Sequence, residues 1–261
     1  MALPSLTLVG PGRAGRAFAR SWAGAGGRVD RLLGRQDIPR AISSEVLVLA
    51  VPDDALAPVA AALAPSASCR YAFHLSGALG SDAIEALRGA GAAVGSLHPL
   101  RPFRGGEEET LGGAFVAIEG DPAACDAAER FARDLGVDPH RISKEVKPLY
   151  HAGATLAAPG SIAVLSSAIR AWAAAGIPEE DARRALAGLA ADALGGAQTR
   201  PLSDAFTGPV ARRDVGTVRS HLAALAQSPE LRLLYVLLAR ETLASTPAAH
   251  QDDELRALLA C

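Results

Sequence analysis

Residues 5–15 read SLTLVGPGRAG, and this stretch indicates how the chain begins to fold. The apolar run before Gly10 predicts a buried strand, and Gly10, Gly12 and Gly15 have the G-x-G-x-x-G spacing. The pattern of residues after Gly15 predicts an amphipathic helix, and a second short strand is predicted over residues 29–33. Strand, glycine turn, helix and strand at this length form one βαβ unit. In that setting the three glycines indicate a dinucleotide-binding turn.

Each glycine of this turn has a predicted task. Gly10 lets the chain leave the strand in a tight turn, Gly12 lets the backbone approach a pyrophosphate, and Gly15 lets the helix pack on the strand. The free N–H groups at the start of the helix would then face the phosphates. The predicted cofactor-binding residues of the turn and of a later strand end are Gly10, Pro11, Gly12, Arg13, Ala14, Gly15, Val51 and Pro52. The alternative is a purely structural turn in a chain with 26 glycines.

The end of the second predicted strand favours NADP over NAD. Proteins that bind NAD usually have an acidic residue there, which holds the ribose 2′-hydroxyl. This strand ends without a carboxylate, and Asp37 comes slightly late. Arg35 can instead pair with a 2′-phosphate through its guanidinium group, and Arg13 would add positive charge beside the phosphates. Both arginines would otherwise be solvated surface side chains.

The composition limits the class of protein. The chain has 261 residues, 49% of them hydrophobic, which is enough for one large domain or two modest ones. A net charge of −2 without a basic patch argues against nucleic acid as a partner. Three cysteines without metal-ligand spacing predict neither a metal site nor a disulfide framework. No leader and no apolar stretch of about 20 residues is evident, so we expect a cytoplasmic protein that does not enter membranes.

Strand and helix patterns alternate up to about residue 143, and only helical patterns follow. The alternation predicts an α/β fold for residues 1–143: a Rossmann domain whose doubly wound sheet is mostly parallel. Residues 144–261 are predicted to form an all-α second domain. Its helices are expected over about 146–174, 178–198, 214–226, 229–245 and 251–260. Ligands of doubly wound sheets bind beyond the carboxyl ends of the strands, so candidate chemistry is sought there.

Polar side chains follow two of the predicted strands. In the segment 74–77, Gly77 would let the backbone approach a nicotinamide, and Ser76 would contact the substrate or the carboxamide; a capping turn explains the segment equally well. After the next strand, a loop stiffened by two prolines presents His98 and Arg101. His98 can act as a general acid or orient a carbonyl, and Arg101 can hold a carboxylate. The alternative is an ordinary surface loop.

Two further candidates lie in the helical part. Lys147 and His151 are four residues apart, so they share a face if both lie on one helix. Lys147 can donate a proton to a carbonyl oxygen as hydride reaches the carbon, and His151 can orient it or share that role. Pro148 prefers the first turn of a helix. If the helix begins at Pro148, Lys147 lies just outside it and the shared face is less secure. Thr207 and Arg212, beside a Gly-Pro break, would contact the substrate, unless this segment only separates two helices.

Together these motifs resemble the proteins that combine a Rossmann-like domain with a helical DUF2520 domain. The matching segments run in order along nearly the whole chain: GPGRAG at 10–15, HLSG at 74–77, LHPLRPF at 97–103, YHA at 150–152 and TGPVAR at 207–212. That group is similar to the 6-phosphogluconate dehydrogenase-like reductases, which include pyrroline-5-carboxylate reductase, ketopantoate reductase, prephenate dehydrogenase and the β-hydroxyacid dehydrogenases. The resemblance implies NADP-linked hydride transfer in a cleft between the two domains. It also implies a homodimer built from the C-terminal helices.

The resemblance is partial at the catalytic positions. β-Hydroxyacid dehydrogenases carry a lysine four residues before an asparagine; Lys147 matches the lysine, whereas His151 stands at the asparagine position. His98 followed by proline resembles a His-Pro pair of prephenate dehydrogenases. We therefore expect an NADP-dependent oxidoreductase that reduces a small anionic carbonyl or imine substrate, with the 2-oxo acid ketopantoate as a lead. Its predicted catalytic residues are Lys147, His151, His98 and Ser76. The alternative is a cofactor-binding sensor without turnover.

Overall fold

The computed structural model describes residues 3–34, 37, 41–247 and 252–260. The chain forms two compact units, Met1–Ala158 and Pro159–Cys261. The sequence predicts a boundary after residue 143, whereas this division falls later, within a helical segment. The difference arises because Lys147 and Tyr150 bond to residues of the first unit's sheet. Residues 144–158 therefore go with that unit.

The first unit is built around a seven-stranded sheet. Its strands are β1 (Leu6–Val9), β2 (Val29–Leu33), β3 (Val46–Leu49), β4 (Tyr71–His74), β5 (Ala93–Pro99), β6 (Phe115–Gly120) and β7 (Asp138–Arg141). Their order across the sheet is β2-β1-β3-β4-β5-β6-β7. The first five pair in parallel, β6 runs antiparallel to β5, and β7 is parallel to β6. The predicted doubly wound, mostly parallel sheet is confirmed.

Helices cover both faces of this sheet, and the sequence of the central strands reflects this. Every residue of β1 and β3 is buried, as a strand covered on two sides requires. One core packs α1 (Arg13–Gly24) and α4 (Pro122–Leu135) on the first face. A second core packs α2 (Asp53–Leu63) and α3 (Glu85–Gly89) on the other face. The scarce aromatic residues concentrate in the first core, where Trp22 contacts both Phe18 and Phe131.

The described residues after β7 form helices and no strand, as predicted. These helices are α5 (Lys147–Thr155), α6 (Ser161–Ala174), α7 (Glu179–Ala197), α8 (Leu202–Ala205), α9 (Gly208–Ala211), α10 (Val215–Ala224), α11 (Pro229–Ser245) and α12 (Asp252–Leu258). Elements α9 to α12 share one apolar core, to which Val210, Val218, Val236 and Leu255 contribute. The two short helices α8 and α9 fall where the sequence predicts a loop.

A buried ion pair fixes part of the second unit. Arg213 has a positive φ of 57°, and its Nε lies 2.8 Å from Asp252 Oδ1. The same guanidinium donates to Thr246 Oγ1 and to the carbonyl of Pro247. Arg213 therefore joins the start of α10 to the segment before α12. Asp214 next to it caps α10 by accepting the Thr217 N–H, as a polar residue at this position predicts.

Helices α6 and α7 pack against each other and leave large apolar side chains exposed. Ile162, Leu189 and Leu194 are 69%, 66% and 55% exposed, and we call these three residues the α6–α7 apolar surface. Within the described residues, one continuous helical run, Lys144–Ala174, which includes α5 and α6, is long and apolar enough to cross a membrane by length and composition. From the sequence we expect no apolar stretch of about 20 residues, because single polar residues interrupt this run. The average hydropathy of the run is nevertheless high.

Candidate active site

The glycine turn lies where the strand order reverses, between β1 and β3, the position of the ligand crevice in doubly wound sheets. Gly10 has a φ of +100°, and a Cβ on it would lie 2.3 Å from the carbonyl oxygen of Ala50. A Cβ on Gly15 would lie 2.1 Å from the carbonyl oxygen of Gly10. Both contacts are with backbone atoms, which have no room to move. The fold itself therefore requires these two glycines.

Gly12 differs from the other two glycines of the motif. It is exposed, it has a φ of −72°, and a Cβ on it would meet no atom of the described chain within 4 Å. Gly12 is also the N-cap residue of α1, which has no side-chain cap. Open space beside uncapped helical N–H groups suits a phosphate, so this place fits the predicted cofactor. Packing within the described chain gives no reason for a glycine here.

The neighbouring predicted residues frame the same turn. Val51 lies beside Gly10, since its Cγ1 would be 3.1 Å from a Cβ there, and Pro52 is the exposed N-cap residue of α2. Pro11 accepts a hydrogen bond from Arg16 Nε, and Ala14 is half-buried in the first turn of α1. The glycine turn is thereby held at the ends of β1 and β3, where the sequence places it.

The residues that distinguish NADP from NAD are partly described. Arg35 lies outside the described residues. The late carboxylate of Asp37 accepts the N–H of Gly34 at 2.8 Å, so it belongs to a local turn after β2. Arg13 is exposed, and its Cγ would lie 3.1 Å from a Cβ on Gly105. The loop after β5 therefore passes beside the glycine turn.

Three of the predicted segments converge around Gly77, after the end of β4. A Cβ on Gly77 would lie 2.6 Å from His151 Nδ1 and 2.7 Å from His98 Nε2, so the two imidazoles approach it closely. The His98 and His151 rings are 5.7 Å apart and edge to face. His98 Nδ1 lies 2.8 Å from the Tyr150 hydroxyl. We call Gly77, His98, Tyr150 and His151 the strand-end cluster. His98 belongs to β5, because this strand continues through Pro99 instead of ending before the predicted loop.

The nitrogen atoms of the strand-end cluster have unequal partners. His151 Nδ1 is buried and has no hydrogen-bond partner among the described residues. A buried polar atom without a partner costs about 1–3 kcal/mol, which a ligand atom beside Gly77 would recover. Burial, with the nearby His151 and Lys147, lowers the pKa of His98 to about 4, so its imidazole is neutral at pH 7. Burial also raises the pKa of Tyr150.

Lys147 lies beneath this cluster, with its ammonium group directed into the sheet. It is the first residue of α5 and only 1% exposed, so the alternative position just outside the helix is wrong. Its Nζ donates to Ser96 Oγ at 2.7 Å and to the carbonyl oxygen of Ser76 at 3.2 Å. Burial lowers the pKa of Lys147, and the charges of Glu119 and Asp53 oppose that shift. Lys147 therefore stabilises the segment that follows β4 through its hydrogen bond to the Ser76 carbonyl.

His74 and Ser76 shape the loop that carries Gly77. His74 is fully buried; its Nδ1 accepts the Ser76 N–H at 3.2 Å, and its Nε2 lies 3.0 Å from the carbonyl oxygen of Gly80. Burial lowers the pKa of His74 to about 4. The hydroxyl of Ser76 accepts the N–H groups of Ala78 and Leu79. These bonds match the capping alternative for Ser76, whose hydroxyl hydrogen can still be donated.

The remaining predicted substrate residues make other contacts. Arg101 Nη1 donates to the carbonyl oxygen of Thr110 at 2.7 Å and so secures the loop after β5. A cleft of about 540 Å³ opens beside Arg101 and Arg104. Thr207 and Arg212 belong to the second unit, at either end of α9, and both are exposed. The roles of Arg101, Thr207 and Arg212 in substrate binding stay predictions.

Sequence reasoning did not single out Ser96, Glu119 or Tyr150 for the site. Ser96 and Glu119 are polar residues inside otherwise apolar strands, and both are buried. That pattern was visible in the sequence and is a signal for a polar network in the core. Tyr150 is part of the YHA motif at 150–152, but the sequence does not show its hydrogen bond to His98.

Residues 114–242 match the family described as "Domain of unknown function (DUF2520)". The matched segment has 129 of the 261 residues, so this part of the chain is similar to that domain family. The matched segment begins within the first compact unit, just before β6, and extends through most of α11. The resemblance predicted from the sequence motifs is thereby confirmed. A search of curated proteins found no match.

Solved structures share the fold of this chain along most of its length. Protein TM1727 from Thermotoga maritima has a TM-score of 0.73 and 22% identity, covering 92% of this chain and 97% of that one. Pyrroline carboxylate reductase from Plasmodium falciparum, with NADP bound, has a TM-score of 0.59 and 14% identity, with coverages of 94% and 99%. A reductive aminase from Aspergillus terreus, in complex with NADPH and ethyl-5-oxohexanoate, has a TM-score of 0.60 and 16% identity, with coverages of 97% and 100%. The predicted Rossmann-plus-helical architecture is confirmed.

Proposed function

We propose that this protein is an NADP-dependent oxidoreductase that reduces a small carbonyl or imine substrate. The observation that carries the proposal is Gly12, an exposed glycine at an uncapped helix N-terminus with open space where its side chain would be. The fold similarity to a reductase with NADP and to an aminase with NADPH supports it. Bound NADPH would supply a hydride to the substrate carbon.

The strand-end cluster would bind the heteroatom of the substrate. Nδ1 of His151 is buried against Gly77 and lacks a partner among the described residues, so a small shift of its ring would let it hydrogen-bond a carbonyl oxygen or an imine nitrogen. We assign the proton transfer to His151 and not to Lys147, whose Nζ is bonded to Ser96 and Ser76. Lys147 would act by its charge, which stabilises negative charge developing on the substrate. His98, which is neutral and hydrogen-bonded to Tyr150, would line the substrate site opposite His151.

The finer substrate assignment is also a proposal. A small 2-oxo acid such as ketopantoate combines a reducible carbonyl with a carboxylate, and Arg101, Thr207 and Arg212 are the candidates to bind that carboxylate. An imine would use the same hydride and the same proton donor. Arg35 is the candidate that would select NADP by binding the 2′-phosphate.

Titration with the two nicotinamide cofactors tests the proposal. We expect NADPH to bind at least about tenfold more tightly than NADH, because a 2′-phosphate beside a guanidinium gains more than about 1.4 kcal/mol. Nicotinamide fluorescence of the purified protein measures both affinities. NADPH oxidation with a panel of 2-oxo acids and cyclic imines then measures turnover.

Each outcome of this titration has a distinct meaning. Equal binding of NADH would reject the role of Arg35 and keep the reductase. Tight NADPH binding without turnover on any member of the panel would favour the cofactor-binding sensor. If neither cofactor binds, the proposed function is wrong.

We also propose that the protein is a cytoplasmic homodimer whose subunits meet at the α6–α7 apolar surface. The exposure of Ile162 and Leu189 supports an interface there, since monomers rarely expose several large apolar side chains together. We expect Ile162→Asp combined with Leu189→Asp to halve the mass measured by light scattering. Leu32→Asp, on β2 of the first unit at 45% exposure, is the control. A wild-type protein that is monomeric would contradict the dimer. A wild-type protein that requires detergent would contradict the cytoplasmic location.

A further inference from the structure

We propose that Glu119 is the counter-ion of Lys147 and acts on it through the hydroxyl group of Ser96. Lys147 is 1% exposed, and an ammonium group buried to that degree needs an opposite charge nearby. The hydrogen bonds that Nζ donates go to neutral oxygens, Ser96 Oγ and the Ser76 carbonyl. The negative charge must therefore be provided from beyond these direct contacts.

The hydroxyl of Ser96 provides the link. An ammonium group can only donate, so Ser96 Oγ accepts from Lys147, and its own hydrogen must point elsewhere. Glu119 Oε2 lies 3.5 Å from this oxygen and is the acceptor in reach. The sheet sets this geometry, because Ser96 on β5 and Glu119 on the antiparallel β6 are directly paired. Their side chains therefore lie side by side on one face of the sheet.

The carboxylate of Glu119 is itself fixed and buried. It is 7% exposed, and it accepts the Ser81 N–H at 2.7 Å and the Ser81 hydroxyl at 2.8 Å. Two neutral donors orient this carboxylate but do not balance its charge. Lys147 and Glu119 are thus two buried opposite charges joined through one hydroxyl. Each would be an uncompensated buried charge without the other, which is costly.

The other charged or titratable groups that face Lys147 do not replace Glu119. His74 on β4 and His98 on β5 both have a pKa lowered to about 4, so they are neutral at pH 7. Asp53 on α2 attracts the lysine as well, but it is exposed and its charge is screened by water. Glu119 is therefore the buried carboxylate that keeps Lys147 charged. Its catalytic consequence rests on the proposed function, since a charged Lys147 would stabilise the substrate's developing negative charge.

The lysine content makes a direct test practical. The chain has two lysines, Lys144 and Lys147, so protein labelled with ¹³C at lysine Cε gives two lysine signals in an NMR pH titration. Lys144 is half-exposed and paired with Asp82 at 2.6 Å, which makes it an internal reference. We expect Glu119→Gln to lower the titration midpoint of Lys147 by about one pH unit, a tenfold change in its protonation ratio. The midpoint of Lys144 should fall much less, because its main partner is Asp82 and the charge of Glu119 contributes less there.

Three further variants separate charge from structure. Ser81→Ala removes one hydrogen bond to Glu119 but keeps the charge, so the Lys147 midpoint should stay within about 0.3 pH units of the wild type. Ser96→Ala should lower it, and Ser96→Thr, which keeps the hydroxyl, should restore it. If Glu119→Gln fails to fold, Glu119→Met, which is uncharged and of similar length, takes its place. A Lys147 midpoint that the uncharged Glu119 variant leaves unmoved would overturn the inference.

The NMR experiment needs no substrate and no cofactor, so it is independent of the proposed function. If the wild type fails to oxidise NADPH but the midpoint shifts as expected, the proposed function fails and the charge pair stands. If an active wild type shows no shift in these variants, the charge pair fails and the reductase stands.

Discussion

Replacing Gly77 with alanine is expected to lower kcat about 100-fold while the protein stays folded. The new Cβ would lie 2.6 Å from His151 Nδ1 and 2.7 Å from His98 Nε2, so at least one imidazole must move. His98 is held by Tyr150 at 2.8 Å, which leaves His151 as the ring that shifts. A displacement of about 1 Å at a reacting group costs about 100-fold in rate. NADPH oxidation with the best substrate of the panel measures this loss.

Gly80→Ala is the matched control for Gly77→Ala. Gly80 lies in the same loop, and a Cβ on it would also be crowded, at 2.8 Å from Asp82 Oδ1 and 2.9 Å from Lys144 Cγ. Those atoms belong to half-exposed side chains that can move aside, so we expect kcat near that of the wild type. Circular dichroism checks that both variants fold. Wild-type turnover in folded Gly77→Ala would show that the His98–His151 geometry is not needed.

Most of the sheet could be predicted because its strands bury apolar residues on both faces. The bounds predicted for β2 are those of the structure, Val29–Leu33. Strand β7, Asp138–Arg141, was not predicted, because it is a polar strand at the edge of the sheet with mostly exposed residues. Its pairing with β6 depends on a neighbour distant in sequence, and no local pattern shows it.

The site was predictable where it follows from strand ends and not where it follows from strand register. The segments containing Gly77, His98 and His151 meet because the carboxyl ends of β4 and β5 lie side by side under α5. Ser96 and Glu119 face each other because β6 turns antiparallel to β5, which the sequence does not reveal. The direction of the Lys147 side chain follows from that same pair.

Replacing Gly12 with valine is expected to weaken NADPH binding at least about 100-fold, or about 2.7 kcal/mol. The melting temperature should fall only slightly, because valine is a poorer N-cap residue than glycine but meets no backbone atom here. A Cβ at Gly12 would meet no atom of the described chain within 4 Å, and its φ of −72° suits any residue. The valine side chain would therefore begin in open space. It would fill the space that a pyrophosphate needs beside the first N–H groups of α1.

The other glycines show why this prediction discriminates between a folding role and a binding role. Gly15→Ala should lower the melting temperature, because its Cβ would lie 2.1 Å from a backbone oxygen. Gly24→Val, at the far end of α1, also meets no atom within 4 Å and should change neither stability nor NADPH affinity. If Gly12→Val binds NADPH like the wild type, the open space is not the pyrophosphate site. If it binds weakly while it remains folded as Gly24→Val does, the open space at Gly12 serves the ligand.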